Sequence, residues 1–334
     1  MKLSKNINRQ FIEVVSMIKQ ARYAAVKSVN AEQIKLYWQI GEYISNKLES
    51  AQWGEGVVDG LAEYIQTTNP EFKGFTRRGL YRMRQFYEAY RQKQFVSAVL
   101  TQISWTNHLL ILSKTKTKEE RGFYLALSIK ERYASRELER QIDSGYYERV
   151  MLSKKKVPLL VTHKHPQAVD VFRDSYVLDF LSLPKAYSEK DLQQSIVANL
   201  KDFILEFGRD FTFVGQEYRI QVGNHDYFID LLFFHRQLRC LVMVELKINE
   251  FKPEYLGKLN FYLEALDRDI KKPDENPSVG IILCKSKDDE VVEYALSRNL
   301  SPALVAEYKT QLIPKKLLEK KLHEYALLAH EKEK

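Results

Sequence analysis

Three charged residues lie inside the strand-like runs of one of the most apolar stretches of this 334-residue chain. The stretch reads DYFIDLLFFHRQLRCLVMVELKI and predicts two buried strands joined by a short polar turn. Asp230 falls within the first strand, and Glu245 and Lys247 fall within the second. Because a buried charge is costly unless it is paired or bound to a metal, these three positions require an explanation.

Hairpin geometry predicts that the three charges lie together. A turn centred between Gln237 and Leu238 pairs Asp230 directly with Glu245. Directly opposed residues share a face of the sheet, with Cβ atoms about 4.5–5.5 Å apart. Lys247 lies two residues beyond Glu245 and therefore points to the same face. The sequence thus predicts a compact cluster of two carboxylates and one ammonium.

A divalent metal site is one interpretation of such a cluster. Two adjacent carboxylates repel each other when both are ionised, and a divalent cation removes that repulsion. Mg²⁺ prefers oxygen ligands and is usually held by one or two carboxylates together with water and phosphate. A lysine beside the cation orients its water or stabilises charge on a phosphate. On this interpretation the cluster would hold Mg²⁺, replaceable by Mn²⁺, in a metal-dependent phosphodiesterase.

A structural role for the same charges is the alternative at this stage. Glu245 and Lys247 would neutralise each other at a sheet edge, and backbone N–H groups would satisfy Asp230 as a buried acid. The spacing of these three residues alone does not separate the two interpretations.

The elements around the cluster predict an α/β layer. An amphipathic helix in SEKDLQQSIVANLKDFILEFG precedes three strand candidates, Phe211–Val222, Tyr227–Phe234 and Cys240–Ile248. A helix from about Pro253 to Leu266 follows, and then a short strand in PSVGIILCKS and another helix. The order α-β-β-β-α-β-α indicates an antiparallel meander that leads through a crossover helix to a further strand.

The rest of the chain divides by pattern. Residues 1–150 show helical periodicity without a convincing strand, which predicts an all-α domain. Residues 151–170 contain a lysine run, two prolines and no period, so they are predicted to be a linker. Residues 171–334 form the predicted α/β domain, which ends in a charged helix.

Charge is distributed unevenly along the chain. Residues 1–156 contain 27 Lys/Arg and 16 Asp/Glu, a net charge of +11, whereas residues 157–334 have a net charge of −3. A basic half next to a slightly acidic half indicates a module that binds nucleic acid, attached to a second module.

Composition excludes several other classes. No stretch approaches the roughly 18–20 consecutive apolar residues of a membrane span, and the N-terminus has no signal-peptide core. The two cysteines, Cys240 and Cys284, lie in apolar runs and are predicted to be buried, reduced thiols. We therefore expect a cytoplasmic protein with no membrane partner.

The spacing of the charged cluster resembles a known motif. Asp230 followed by Glu245-Leu246-Lys247 is similar to the D…(D/E)-x-K motif of the PDDEXK nuclease superfamily, with Ile229 in place of the proline. More closely, the second half resembles the YhcG-like family in DYFIDLLFFHRQLRCLVMVELKINEFKPEYLGKLNFYLEAL and SVGIILCK. The first half resembles that family's helical domain in WGEGVVDGLAEYI, GFTRRGLYRMRQFYEAY and SWTNHLLIL.

This resemblance implies roles for particular residues. It implies a restriction-endonuclease-like αβββαβ core in which Asp230 and Glu245 ligate Mg²⁺ and Lys247 is the catalytic lysine. Glu206, at the end of the first helix, is the candidate for a further acid. Lys258 and Tyr262 correspond to a glutamine and a tyrosine, four apart, that contact nucleic acid in some members.

One predicted helix in the first half is rich in arginine. In TRRGLYRMRQFYEAYRQK the apolar residues form one face, and the arginines project from the opposite face or flank it. Arginines on an exposed helix face suit contacts with phosphates. The candidate nucleic-acid contacts are Arg77, Arg78, Arg82 and Arg84, and a merely solvated basic face is the alternative.

These observations predict a Mg²⁺-dependent nuclease that hydrolyses DNA. The resemblance implies a setting in phage defence, restriction or DNA recombination and repair, and a homodimer as the assembly. Two alternatives remain, a catalytically inactive nucleic-acid-binding or assembly protein that retains the fold, and a nuclease of RNA.

Overall fold

The computed structural model describes residues 29–51, 55–91, 99–153, 158–166, 168 and 171–332. The chain divides into two compact units, Met1–Ile142 and Asp143–Lys334. The lysine run of the predicted linker, residues 154–156, lies outside the described residues.

The first unit is helical, and its described segments contain no strand, as the sequence predicts. Three of its helices begin at a Ser or Thr whose side chain accepts a hydrogen bond from the backbone N–H three residues on: Thr76, Ser104 and Thr117. Such caps satisfy N–H groups that have no partner inside the helix. The helices are α1 (29–49), α2 (Glu55–Thr68), α3 (Arg77–Tyr90), α4 (Trp105–Lys114), α5 (Lys118–Glu131) and α6 (Ser135–Asp143).

The core of the first unit joins α1, α2 and α3. Its buried side chains include Ile44, Val58 and Leu80, one from each helix. A Cβ added at Gly41 would lie 2.2 Å from the backbone oxygen of Met83, so only glycine permits α1 to pass this close to α3. These contacts fix the face of α3 that is turned inward and leave its arginine face outward.

The second unit is an α/β layer. Its strands are β1 (Ser175–Val177), β2 (Phe211–Val222), β3 (His225–His235), β4 (Cys240–Glu250), β5 (Val279–Ser286) and β6 (Ala303–Lys309). A π-helical turn at Leu266–Ile270 follows the helix that ends at Ala265. The helices are α7 (Tyr146–Leu152), α8 (Leu159–Lys164), α9 (Glu189–Ala198), α10 (Leu200–Phe207), α11 (Tyr255–Ala265), α12 (Asp289–Ser297) and α13 (Lys315–Lys332).

The six strands form one mixed sheet in the order β1-β6-β5-β4-β3-β2. Strands β2, β3 and β4 form an antiparallel meander, and β4, β5, β6 and β1 are parallel. Helix α11 crosses between the parallel strands β4 and β5, as the predicted order requires. The charged strand β4 therefore lies in the interior of the sheet, with neighbours on both sides.

Two apolar cores cover the two faces of the sheet. On one face, Leu192, Ile196, Phe203 and Phe207 of α9 and α10 pack on the sheet. On the other face, α11 packs through a second set: Leu256, Leu259, Tyr262 and Leu263. Because both faces are covered, a charge on β4 has access to solvent only near a strand end.

Three features of this unit differ from the sequence prediction. The single amphipathic helix is two helices that break at Asn199 (φ −113°, ψ 32°), although both keep their apolar side on the same core. Strands β1 and β6 were missed because β1 has three residues and β6 has seven with little polar alternation. A short helix, α8, lies within the predicted linker.

Candidate active site

The β3–β4 hairpin has the predicted register. The pairs run from His235–Cys240 to Leu231–Val244, so the next pair in sequence is Asp230 with Glu245. The ladder stops before that pair, and Asp230 Oδ2 instead accepts a hydrogen bond of 2.8 Å from the backbone N–H of Leu246. The two strands therefore splay at Asp230, and a carboxylate replaces the missing backbone partner.

Glu245 is the most deeply buried member of the cluster, with 1% of its surface exposed. Its Oε1 accepts hydrogen bonds from Lys258 Nζ at 2.6 Å and from Lys247 Nζ at 3.1 Å. Its Oε2 is also buried, and the described residues offer it no hydrogen-bond partner. A buried carboxylate oxygen without a partner is costly, and it is an oxygen on which a cation could bind.

Lys247 is held at the end of β4 by several acceptors. Its Nζ donates to Glu189 Oε2 at 3.1 Å, to Glu245 Oε1, and to the carbonyl oxygen of Leu246 at 2.9 Å. Burial lowers the pKa of the Lys247 ammonium, but Glu245 and Glu189 more than offset this, so that the pKa is raised. The side chain thus keeps a positive charge in a fixed position.

The pKa of Asp230 is raised from its ordinary 3.8 to about 6. Burial is the main cause, and the charge of Glu245 adds to it. The hydrogen bond from Leu246 and the charges of Lys258 and Lys247 act in the opposite direction. At neutral pH the Asp230 carboxyl is therefore ionised only at a cost, which a further positive charge would reduce.

Helix α9 supports the cluster from one side. Gln193 Nε2 donates a hydrogen bond of 2.7 Å to the carbonyl oxygen of Asp230, which fixes the splayed end of β3. A surface cleft opens next to this contact. Three acids, a lysine, a glutamine and a phenylalanine line it: Glu189, Glu217, Asp230, Lys190, Gln193 and Phe228. The cluster is therefore buried on the sheet side and accessible from the cleft.

Glu206, predicted as the further acid, is placed elsewhere by the structure. It is fully buried, accepts a hydrogen bond of 2.9 Å from the backbone N–H of Val177, and faces Arg173 and Arg149 at 3.3 and 3.7 Å. Val177 belongs to β1, and two strands separate β1 from β4. At about 4.8 Å per strand, β1 lies roughly 14 Å from β4, so Glu206 is remote from the Asp230–Glu245 pair and joins α10 to the sheet edge.

The acid that the structure brings to the cluster is Glu189. Ser188 and Asp191 form a capping box, so α9 begins at Glu189 and its carboxylate reaches Lys247. Sequence patterns do not indicate Glu189 or Gln193 as site residues, because the apolar period continues from α9 into α10 and predicts one helix. The Ser-x-x-Asp pattern marks only where α9 begins, next to Glu189.

Lys258 and Tyr262 lie where the sequence predicted, on α11 beside the cluster. Lys258 Nζ is 2.6 Å from Glu245 Oε1 and 5.2 Å from the centre of the Tyr262 ring. Tyr262 is buried beneath it, and burial raises the pKa of its hydroxyl. Both residues therefore belong to the geometry of the cluster, with Lys258 as its second ammonium.

The four predicted arginines of α3 differ in their surroundings. Arg77 pairs with Asp59 at 2.7 Å, and Arg84 pairs with Glu88 at 2.7 Å. Arg78 is exposed and Arg82 is half-buried on the same helix, and no ion pair to a described residue holds either of them. Their outward face is opposite the buried one, whose members are Leu80, Met83, Phe86, Tyr87 and Tyr90.

The structure contains both contacts of the purely structural interpretation. Glu245 pairs with Lys247, and a backbone N–H satisfies one oxygen of Asp230. A purely structural role does not explain three further observations. Strand β4 is not an edge strand, Glu245 Oε2 has no partner among the described residues, and a cleft reaches Asp230. A structural pair would leave neither an unsatisfied oxygen nor an opening.

The donor set fits a hard divalent cation held by few protein ligands. Asp230 and Glu245 supply carboxylate oxygens next to each other, as Mg²⁺ or Mn²⁺ requires. Within the described residues, no group of three or more His, Cys, Asp or Glu side chains forms a metal site. A cation here would therefore depend on water or substrate oxygens for its remaining ligands.

The mixed sheet, its αβββαβ core and the acid-x-lysine arrangement on β4 define a nuclease domain of the PDDEXK type. The profile of the YhcG PDDEXK nuclease domain matches residues 169–323, and that of the DUF1016 N-terminal domain matches residues 13–149. The chain belongs to the YhcG family. It is 33% identical to "Putative nuclease YhcG" of Escherichia coli (strain K12), over 91% of this chain and 90% of that protein.

Solved structures resemble only part of the chain. A repair endonuclease from Pyrococcus abyssi is 14% identical, with a TM-score of 0.27, and a complex of EndoMS with dsDNA2 is 13% identical, with a TM-score of 0.28. Each match covers 39% of this chain and about half of the other (50% and 48%). No helix in the described part of the chain is long and apolar enough to cross a membrane.

Proposed function

We propose that this protein is a Mg²⁺-dependent nuclease that hydrolyses the phosphodiester bonds of DNA, with Mn²⁺ as a functional substitute. One observation supports this most directly: Glu245 is buried beside Asp230 with one carboxylate oxygen lacking a partner among the described residues. Membership of a PDDEXK nuclease family agrees with it.

Asp230 and Glu245 would hold the cation between β3 and β4. When bound there, a divalent cation polarises the phosphodiester and lowers the pKa of water, which supplies the nucleophile. Lys247 would place a fixed positive charge next to the phosphate, because three acceptors hold its ammonium. Glu189 would keep Lys247 charged and oriented, and Gln193 would keep Asp230 in position.

The first unit would bind the nucleic acid. Residues 1–142 have a net charge of +9, and α3 presents Arg78 and Arg82 outward. Phosphate contacts of this kind position DNA without reading its sequence. We propose a helical domain at 1–150, a linker at 151–170 and the nuclease domain at 171–334. Arg77, Arg84, Lys258 and Tyr262 are proposed as further contacts with DNA.

The biological setting is proposed from the family rather than from the geometry. A DNA nuclease of this type suits phage defence, restriction or DNA recombination and repair in the cytoplasm. A homodimer would allow the two strands of a duplex to be cut by two copies of one site.

Cleavage assays on matched DNA and RNA substrates test the proposal. We expect Mg²⁺-dependent cleavage of DNA by the full chain, and a loss of at least about 100-fold in Lys247→Met, because a charge at the phosphate is removed. Lys252→Met, which removes an exposed lysine of the following loop, is the matched control and should cleave normally.

Equal cleavage by the protein and by Lys247→Met would contradict the assignment of this site. Salt-sensitive DNA binding without cleavage in any metal would indicate a binding or assembly protein instead. Preferential cleavage of the RNA substrate would identify an RNA nuclease.

A further inference from the structure

Two lysines compete for one oxygen of Glu245. Lys258 Nζ lies 2.6 Å from Oε1 and Lys247 Nζ lies 3.1 Å from the same atom, while Oε2 has no partner among the described residues. The shorter contact belongs to the residue that comes from another element, α11. Lys258 therefore occupies a position in which it neutralises the acid most directly.

The two lysines differ in how firmly they are held. The Lys247 side chain is 12% exposed and also donates to Glu189 and to the carbonyl oxygen of Leu246. The Lys258 side chain is 45% exposed, and its ammonium also contacts Tyr262, 5.2 Å from the centre of the ring. A lysine on a flexible four-carbon stem with an open path to solvent can move away without disturbing the fold.

We propose that Lys258 is a displaceable counter-ion that competes with the divalent cation for Glu245. This inference rests on the proposed metal site. A cation that binds Asp230 and Glu245 is repelled by an ammonium on the same carboxylate. Lys258 must then leave Oε1, and its charge becomes available to a phosphate that enters from the cleft.

The proposal predicts that loss of the Lys258 charge raises the affinity for the cation, whereas loss of a residue that supports the metal site would lower it. A lysine that merely held Glu245 in place would improve cation binding, so its loss would weaken it. A competing lysine lowers the affinity for the cation, so its loss should strengthen it. Nucleic-acid contact alone would leave cation affinity unchanged, because no substrate is present.

Titration calorimetry with Mn²⁺ and the full-length protein, without nucleic acid, measures this directly. We expect Lys258→Met and Lys258→Gln to bind Mn²⁺ with a Kd about fivefold lower, the factor that corresponds to a half-exposed ion pair of about 1 kcal/mol. Lys258→Arg, which keeps the charge, should retain the original Kd. Lys252→Met controls for the loss of one positive charge on the domain.

Each result has a defined consequence. An unchanged or higher Kd in both neutral variants would overturn the competition, even if the parent protein binds Mn²⁺ well. An equal gain in Lys252→Met would also overturn it, because the effect would then be one of net charge. If the parent protein binds no Mn²⁺, the metal site and hence the proposed function fail as well, which distinguishes the two failures.

Discussion

At the scale of single residues, the unusual feature is that two acids share a site from which the sheet excludes most water. Asp230 and Glu245 belong to adjacent strands, and Lys247 and Lys258 offset their charges without satisfying every oxygen. Removing one partner from such a cluster leaves an uncompensated charge, whereas neutralising the costly acid relieves it. Stability and proposed function are therefore in conflict at Asp230.

Asp230→Asn should stabilise the protein at neutral pH in the absence of metal. The folded-state pKa of about 6 exceeds the ordinary 3.8, so folding favours the protonated acid and ionisation destabilises the fold. The penalty is absent well below the unfolded pKa of 3.8, develops as the pH rises from 3.8 through the folded pKa of about 6, and is complete above the folded pKa. We expect a gain of about 1–2 kcal/mol at pH 7.5.

Urea unfolding at pH 7.5 and at pH 3 measures this gain in EDTA. The gain should nearly vanish at pH 3, which lies below both the ordinary pKa of 3.8 and the folded-state pKa, so that Asp230 is mostly protonated in both states. A loss of stability at pH 7.5, or a gain that is the same at both values, would show that Asp230 is not strained by its charge.

At the scale of elements, the break between α9 and α10 decides which acid reaches the cluster. It separates Glu189, at the start of α9, from Glu206, at the end of α10. Glu206 then serves as a buried link to β1, where Arg149 and Arg173 face it. The same amphipathic sequence thus provides a site residue at one end and a structural residue at the other.

Glu206→Gln should lower stability without changing cation binding. Replacement of a fully buried carboxylate that faces two arginines should cost about 3 kcal/mol in the free energy of unfolding. Its Kd for Mn²⁺ should equal that of the parent protein at a temperature where both are folded. A weaker affinity for Mn²⁺ in this variant would instead indicate that Glu206 contributes to the metal site.

The sequence predicted most of the elements around the site but not their breaks. The register of β3 and β4 followed from one turn, because each residue added to one strand has a fixed partner on the other. The end of α9 at Asn199 could not be predicted from periodicity, because the apolar residues of α9 and α10 form one continuous face on the same core. The contacts of Glu189 and Gln193 depend on where α9 lies over the sheet, which no local pattern encodes.

At the scale of the whole molecule, the chain joins a basic helical unit to a slightly acidic α/β unit. The net charge of +9 in residues 1–142 would attract nucleic acid, whereas residues 143–334 have a net charge of −1 and the charged cluster around β4 is small. Binding and chemistry are thus expected to depend on different parts of the chain. A variant in α3 should change affinity for DNA and leave Mn²⁺ binding intact.

The double variant Arg78→Gln/Arg82→Gln should reduce the salt dependence of DNA binding. Each arginine that contacts a phosphate releases about one counterion, so the slope of log K against log salt should fall by about 2. Arg77→Gln/Arg84→Gln should change the slope less, because Asp59 and Glu88 already pair with these arginines. Fluorescence anisotropy at several salt concentrations gives the slope, and identical slopes in all three proteins would exclude α3 from the DNA contact.

In the antiparallel meander, β2 and β3 are paired over more residues than β3 and β4 are, and this difference affects the two sides of the proposed metal site unequally. Strands β2 and β3 stay paired as far as Val222 and His225, whereas β3 and β4 part after Leu231 and Val244. Residues 225–229 thus pair with β2 alone and are otherwise held by the packing of Tyr227 and Ile229 against α11, so they have fewer backbone hydrogen bonds than the interior of the sheet. Asp230 lies where this segment joins the rest of the sheet, and Glu245 lies on the interior strand β4. An ion that bound both residues would tie the segment to the sheet interior and would therefore slow amide hydrogen exchange throughout the segment.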